Sequence, residues 1–248
     1  MRDLPTIPSS SALLLDFDGT LVDLCTHPDA VVLPASLHAT LGRLATALDG
    51  AVAVISGRTL DSLAGHLDPL PIALAGIHGM AVRSADGRRR GADSEDTSLA
   101  AARTEIAAFV DRHPGLFHED KGSAIALHYR EAPAMAAEVE AFMAAQQARL
   151  RPAARLQYGK AVVELVHGHR DKGDAVTELM AAPPFAGRTP VYVGDDVTDE
   201  AALARVNELG GVSVHVGNTA ATCARYRLDS PAAVRAWLTD LAAGLSKQ

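Results

Sequence analysis

Short apolar runs that stop abruptly at polar turns, each followed by a stretch of helical period, constrain this chain more than any other feature. Ala12-Leu13-Leu14-Leu15 stops at Asp16, and a helix is predicted over about Ala35 to Leu48. Ala51 to Ile55 stops at Ser56-Gly57-Arg58, a second helix follows to about His66, and Pro71 to Ala75 reads as a third short strand. Strands that are apolar throughout need cover on both faces, and strands joined through amphipathic helices pair in parallel. The alternation resumes late, with helix Lys172 to Ala181, strand Pro190 to Val193, helix Asp199 to Asn207, strand Val212 to Val216 and a closing helix Ala232 to Ala243. The expected core is therefore α/β, a Rossmann-like parallel sheet.

Between the two halves the pattern changes at Arg83 to Arg90, a polar stretch with Asp86-Gly87 and four arginines that reads as an exposed turn. A second unit is expected from there: helix Ser98 to Arg112, strands Leu116 to Lys121 and Ser123 to Tyr129, helix Ala134 to Leu150, strands Ala154 to Tyr158 and Lys160 to Val166. Lys121-Gly122 and Tyr158-Gly159 fall where tight hairpin turns belong. The expectation is a smaller α+β unit over residues 83–169, with two helices on one face of an antiparallel sheet, inserted into a core of 1–82 and 170–248. No internal repeat interrupts this division.

A chain of 248 residues, 48% hydrophobic and 21% charged, has the composition to bury such a core. Its net charge of -7 and pI near 5.8 argue against a nucleic-acid or anionic-membrane partner, both of which need a basic face. The first apolar stretch is four residues long, too short for a signal peptide or a membrane span. Cys25 and Cys223 form no close pair or metal spacing, which fits packing cysteines in a reducing cytosol, so a cytoplasmic location is expected.

Asp16 and Asp18 follow an apolar strand directly, at the carboxyl end where open α/β sheets bind ligands. Two carboxylates there repel each other, and a divalent cation relieves the repulsion. Oxygen-only donors, with no histidine or thiolate nearby, select Mg2+ over zinc. Gly19 permits a sharp turn that presents amides toward an anion. A second acidic run, Gly194-Asp195-Asp196-Val197-Thr198-Asp199-Glu200, also follows an apolar strand and opens a helix. Helix capping accounts for part of it but not for Asp195, which precedes the helix. Ser56 and Gly57 offer a hydroxyl and an amide beside a helix N-terminus. Lys172 opens another helix, and it is one of only four lysines among 23 basic residues. A compact ammonium serves a single phosphate oxygen in a tight pocket better than a planar guanidinium does. Together these pieces supply a nucleophile, a metal clamp and cationic neutralisation, the parts that phosphoryl transfer requires.

Asp16-Phe17-Asp18-Gly19-Thr20, Ser56-Gly57-Arg58, Lys172 and Gly194-Asp195-Asp196 resemble the four ordered motifs of the haloacid dehalogenase-like phosphatases. The resemblance implies a two-step reaction through an aspartyl phosphate on Asp16, with Asp18 as acid and then base. It also implies Mg2+ held by Asp16, the Asp18 backbone carbonyl and Asp195, with Asp199 ordering a metal-bound water. Ser56 and Lys172 would hold phosphate oxygens, with Gly19, Thr20, Gly57 and Arg58 beside them. The insert lies where this superfamily carries a cap.

Three further stretches narrow the resemblance: Ala75-Gly76-Ile77-His78-Gly79, Glu119-Asp120-Lys121-Gly122 leading to Ala126-Leu127-His128-Tyr129-Arg130, and Gly159-Lys160-Ala161-Val162-Val163-Glu164. With the acidic run at Gly194 they are similar to the trehalose-6-phosphate phosphatases, over nearly the whole chain. Glu119 and Lys121, two apart on a predicted strand, project from one face, and Glu164 suits a neighbouring strand. The resemblance assigns these three to the glucose ring farther from the phosphate, with Lys160 and His78 as further substrate contacts. It implies a small sugar-phosphate substrate and a separate trehalose-6-phosphate synthase as pathway partner. His167 and His169 read as linker residues lacking a third zinc ligand, and His27-Pro28 as a loop former. Asp171, next to Lys172, departs from the family pattern and is expected to neutralise the lysine in part. Competing expectations are another sugar phosphate on the same fold, or a sensor that binds without turnover.

Overall fold

The computed structural model describes residues 4–25, 27, 30–91, 97–218 and 221–246; Pro28 and Lys247 lie outside the described residues. The chain divides into two compact units, one of Met1–Arg90 with Asp171–Gln248 and one of Gly91–Arg170. The elements in chain order are β1 (Ser11–Leu15), α1 (Ala35–Ala47), β2 (Val52–Ile55), α2 (Leu60–Leu67), β3 (Ala73–Gly76), β4 (Ala81–Arg83) and β5 (Arg89–Gly91). In the second unit they are α3 (Ala100–Asp111), β6 (Phe117–Asp120), β7 (Ala124–His128), α4 (Ala136–Leu150), β8 (Ala154–Gly159) and β9 (Val162–His167). The chain then returns with α5 (Lys172–Met180), β10 (Thr189–Gly194), α6 (Glu200–Glu208), β11 (Val212–Val216), β12 (Tyr226–Leu228) and α7 (Pro231–Leu245).

The first unit is built on an eight-stranded sheet of order β12-β11-β10-β1-β2-β3-β4-β5. The strands from β12 to β3 pair in parallel, and β4 returns antiparallel to β3. Leu13, Leu14 and Leu15 are completely buried, as a strand covered on both faces requires. Leu37, Leu41 and Leu44 form the inward stripe of α1 and bury with them. Each such leucine contributes about 2 kcal/mol by leaving water, and truncating one to alanine costs about 2–5 kcal/mol. Local signals set the helix starts. Thr59 caps α2, Ser230 caps α7 ahead of Pro231, and Asp171 forms a capping box with Asp174 at α5.

Arg83 to Arg90 is more than an exposed turn: β4 and β5 flank it and extend the large sheet to its edge. All three residues of β5, Arg-Arg-Gly, are exposed, and charged edges of this kind discourage pairing with another chain. The other edge strand, β12, also went unseen in the sequence.

The second unit carries a four-stranded antiparallel sheet, β6-β7-β9-β8. One face, with Ile125, Leu127, Val163 and Leu165, packs on Ile106 and Phe109 of α3 and Val139 and Met143 of α4. The first hairpin turns through Gly122 at φ 78°. The second turns at Lys160-Ala161 instead of Tyr158-Gly159, which end β8; Ala161 takes φ 62° to close it. Cys25 packs against the main core as expected, whereas Cys223 lies at the surface. Among the described residues neither forms a disulfide; Cys25 is half-buried and Cys223 exposed, with the Cys223 thiol pushed up to about 11 by burial of its sulfur and the adjacent Glu200.

Candidate active site

The strand order reverses between β1 and β10, because the chain runs outward through β2 and β3 on one side and through β11 and β12 on the other. Ligands bind at such a switch point, beyond the carboxyl ends of the strands. Asp16 and Asp195 extend the two strands that meet there, and both are buried. Gly19, at φ 82°, turns the chain so closely past Asp195 that a Cβ would lie 2.3 Å from its Oδ2. The Gly19 amide does not face an anion, since it donates to Val22 O at 2.8 Å inside the turn. Thr20 is fully buried and its hydroxyl donates to Asp195 Oδ1 at 3.3 Å, which ties the two strand ends together.

Lys172 is the hub of the cluster. Its Nζ, on a residue 3% exposed, donates to Asp16 Oδ1 at 2.7 Å and to Asp199 Oδ1 at 2.6 Å. Asp199 is completely buried, and each of its oxygens accepts two hydrogen bonds. Lys172 and the Tyr192 hydroxyl donate to Oδ1, the amides of Asp195 and Asp196 to Oδ2. Asp199 thus braces both Lys172 and the acidic loop. Asp171 does not neutralise the lysine: its carboxylate accepts the Gly173 and Asp174 amides as the cap of α5. Nothing marked Tyr192 in the sequence except a phenol within an otherwise apolar strand, a group that needs a partner when buried.

The electrostatics follow from one cation among three acids. Burial, reinforced by Asp199 and Asp195, raises the Asp16 carboxyl well above its ordinary value despite Lys172. For Asp199, burial also pushes upward, but Lys172, Tyr192 and the loop amide outweigh it and hold the group low. Lys172 is raised because the two carboxylates overcome the effect of burial, and Tyr192 is raised by burial and by Asp199.

Carboxylate oxygens of Asp16, Asp195 and Asp199 lie within 4.8 Å of one another. An all-oxygen set carrying more negative than positive charge fits a hard divalent cation. The saturated lone pairs of Asp199 leave Asp16 and Asp195 as the carboxylates suited to it. The Asp18 side chain stands apart from this trio. Arg58 grips it as a fork, Nε to Oδ2 at 2.7 Å and Nη2 to Oδ1 at 2.8 Å, with the guanidinium 5.2 Å from the centre of the Phe17 ring.

Ser56 extends β2 and is buried, its Oγ accepting the Arg58 amide at 3.2 Å. Beside it, at the end of β3, Ile77, His78 and Gly79 have φ of 49°, 54° and 94°. Non-glycine residues held in that region cost about 1–3 kcal/mol each, most for a β-branched side chain. His78 is buried next to Gly57.

On the second unit's sheet, register sets Glu119 opposite Ala126, Ala126 opposite Glu164, and Glu164 opposite Gln157. These project from the face away from the helices. Lys121 donates to Glu164 and lies 3.7 Å from Glu119 Oε2. His128 Nε2 also lies 3.7 Å from Glu119 Oε2, adding a member to the row that sequence reasoning missed. Burial works against the Glu119 charge, but Lys121 and His128 outweigh it and hold the carboxyl low. Lys160 is set apart in the hairpin, exposed, its carbonyl accepting Arg130 Nη2 at 3.0 Å.

The fold is shared with a haloacid dehalogenase-like hydrolase. That protein, from Bacteroides thetaiotaomicron, superposes with a TM-score of 0.66 at 15% identity, over 93% of this chain and 99% of that one. The C-terminal domain of Candida albicans trehalose-6-phosphate phosphatase superposes with a TM-score of 0.83 at 24% identity, over 94% and 92%. Sequence narrows the class, for the trehalose-phosphatase family profile matches residues 14–232, and the chain belongs to that family. A probable trehalose-phosphate phosphatase of Sinorhizobium fredii is 44% identical over 206 residues, 83% of this chain and 77% of the relative. The trehalose-6-phosphate phosphatase of Escherichia coli is 38% identical over 250 residues, covering 100% of this chain and 92% of its own length. Among the described residues no helix is long and apolar enough to cross a membrane.

Proposed function

We propose that this chain hydrolyses trehalose 6-phosphate to trehalose and phosphate, with Mg2+ and through an aspartyl phosphate on Asp16. This is the final step of trehalose biosynthesis, performed in the cytoplasm on the product of a separate synthase. The observation that carries the reading is Lys172, buried between Asp16 and Asp199 at the switch point of the sheet. Asp16 attacks phosphorus with a carboxylate oxygen. The bond from phosphorus to the sugar oxygen breaks, and that oxygen takes a proton from Asp18. Asp18 then removes a proton from water, whose oxygen attacks the acyl phosphate and releases Asp16 and inorganic phosphate. Lys172 and Ser56 hold phosphoryl oxygens. Arg58 serves Asp18 in place of phosphate, as the fork between them supports. Asp16, Asp195 and the Asp18 carbonyl hold Mg2+, which when bound neutralises charge on the phosphoryl oxygens and the nucleophile. Unit 91–170 is the cap, and Glu119, Lys121 and Glu164 are its sugar contacts, with Lys160 a further contact from the hairpin apart from that row. A panel of sugar phosphates with and without Mg2+ tests the whole reading. Equal turnover of glucose 6-phosphate would remove the disaccharide, and full activity in EDTA would remove the metal.

A further inference from the structure

The turn Ile77-His78-Gly79 runs through positive φ at three successive positions, two of them occupied by residues that disfavour the left-handed region. Strain of this kind persists only where the surroundings over-determine it, and two sets of contacts do so. On one side, the Ile77 amide donates to Arg58 O at 2.8 Å and the His78 amide to Ser56 O at 3.0 Å. A Cβ on Gly57 would lie 2.7 Å from the His78 ring, so the ring occupies the space a side chain at 57 would need. On the other side, a Cβ on Gly79 would lie 2.7 Å from Ala175 Cβ and 3.0 Å from Asp171 O, at the start of the helix that Lys172 opens. The left-handed turn thus touches both elements that carry Ser56 and Lys172. An ordinary extended or helical path would swing both amides off the Ser56–Arg58 backbone.

We propose that this strained turn is the spacer of the phosphate cradle, fixing the Ser56 loop against the start of the Lys172 helix, and that His78 is a positioning residue. The inference rests on the reading that Ser56 and Lys172 hold phosphate. It departs from the direct substrate contact that the family resemblance assigns to His78.

Two pairs of full-length variants test it, by calorimetric titration of inorganic phosphate in Mg2+, by kcat and KM for trehalose 6-phosphate, and by Tm. Gly79→Ala drives a methyl into Ala175. It is expected to weaken phosphate binding about tenfold and lower kcat/KM up to about 100-fold, the scale of an ångström's misplacement. Adding Ala175→Gly removes the opposing methyl and should recover part of both losses, the φ of 94° and the Asp171 carbonyl at 3.0 Å still straining the alanine, although a glycine inside the helix lowers Tm. His78→Asn suits the left-handed region, whereas His78→Val opposes it through its branched Cβ. Asn should therefore retain at least about ten times the kcat/KM of Val, an effect of the size expected when a special backbone position is lost. The spacer is overturned if Gly79→Ala binds phosphate like the parent, if Ala175→Gly restores nothing, or if the two His78 variants are equally impaired. If the parent itself fails to bind phosphate in Mg2+, the phosphate-holding reading falls and takes the spacer with it.

Discussion

Replacing Lys172 with methionine isolates the energetics of the cluster, since the thioether keeps much of the buried stem and removes only the charge. The ammonium bonds Asp16 at 2.7 Å and Asp199 at 2.6 Å, with Asp195 as the third acid of the group. Without it, three carboxylates share one buried site. Breaking a buried ion pair by removing one partner costs about 3–5 kcal/mol. For a chain of this size each kcal/mol moves Tm by about 2–4 °C, so unfolding of the first unit in EDTA should come roughly 6–20 °C earlier. Losing Lys172 raises Asp16 further, so the folded state keeps a proton that the unfolded chain releases above about pH 4. Stability of the variant then falls as pH rises, and its deficit should be larger at pH 8 than at pH 5. Pairing the change with Asp199→Asn removes a stranded charge, and the double variant should be more stable than additivity predicts by about 1–3 kcal/mol. Circular dichroism melts of the four proteins in EDTA measure every term. A Tm loss below about 2 °C, outside the range such a pair predicts, or strict additivity, would refute the assignment of Lys172 as the charge that makes the cluster stable.

The remaining expectations concern single positions. Asp16→Asn should abolish phosphate release and prevent trapping of a beryllium fluoride adduct, and activity surviving the change excludes Asp16 as the nucleophile. Gly19→Ala places a methyl 2.3 Å from Asp195 Oδ2, so the Mg2+ needed for half-maximal activity should rise at least about tenfold, as misplacement of a metal ligand does; an unchanged Mg2+ titration contradicts this. Glu119→Ala should reduce the preference for trehalose 6-phosphate over glucose 6-phosphate, and unchanged kinetics on both rule out the cap contact. His215 is buried on β11, with neither ring nitrogen hydrogen-bonded among the described residues, and burial followed by Arg227 holds it below its ordinary value. Below about pH 6.5 the unfolded chain takes up a proton that the folded one refuses, so stability should fall by up to about 1.4 kcal/mol per pH unit. His215→Leu should flatten that slope, and parallel slopes in denaturant melts from pH 7 to 5 would disprove it.

Features governed by burial were legible in the sequence. Leu13 to Leu15 and Val52 to Ile55 are continuous apolar runs because they lie inside the sheet, and Asp16 and Ser56 stand out because each ends such a run. The edge strands β5 and β12 escaped detection because neither has a fully buried residue to carry an apolar pattern, and β4, although two of its residues are buried, is too short a run to show one. Within the site, residue types were readable but their pairing was not. Arg58 finds Asp18 across 40 positions and Thr20 finds Asp195 across 175, and no periodicity encodes either distance. Asp171 illustrates the same limit. Its place before Lys172 suggested a through-space partner, yet the local demand of an uncapped helix end claimed the carboxylate first.

The place of β1 in the middle of the sheet also governs the order in which the molecule can be made. One edge of β1 is satisfied early by β2, but the other waits for β10, and Asp16 meets Lys172 only after 156 further residues. The 91–170 unit pairs all its strands locally and has no such wait. During synthesis an apolar strand with one open edge therefore persists while a complete small domain forms downstream of it, the situation in which nascent chains aggregate or engage chaperones. Placing Asp16 between distant halves of the chain delays assembly of the site until β10 and the acidic loop that follows it have been made.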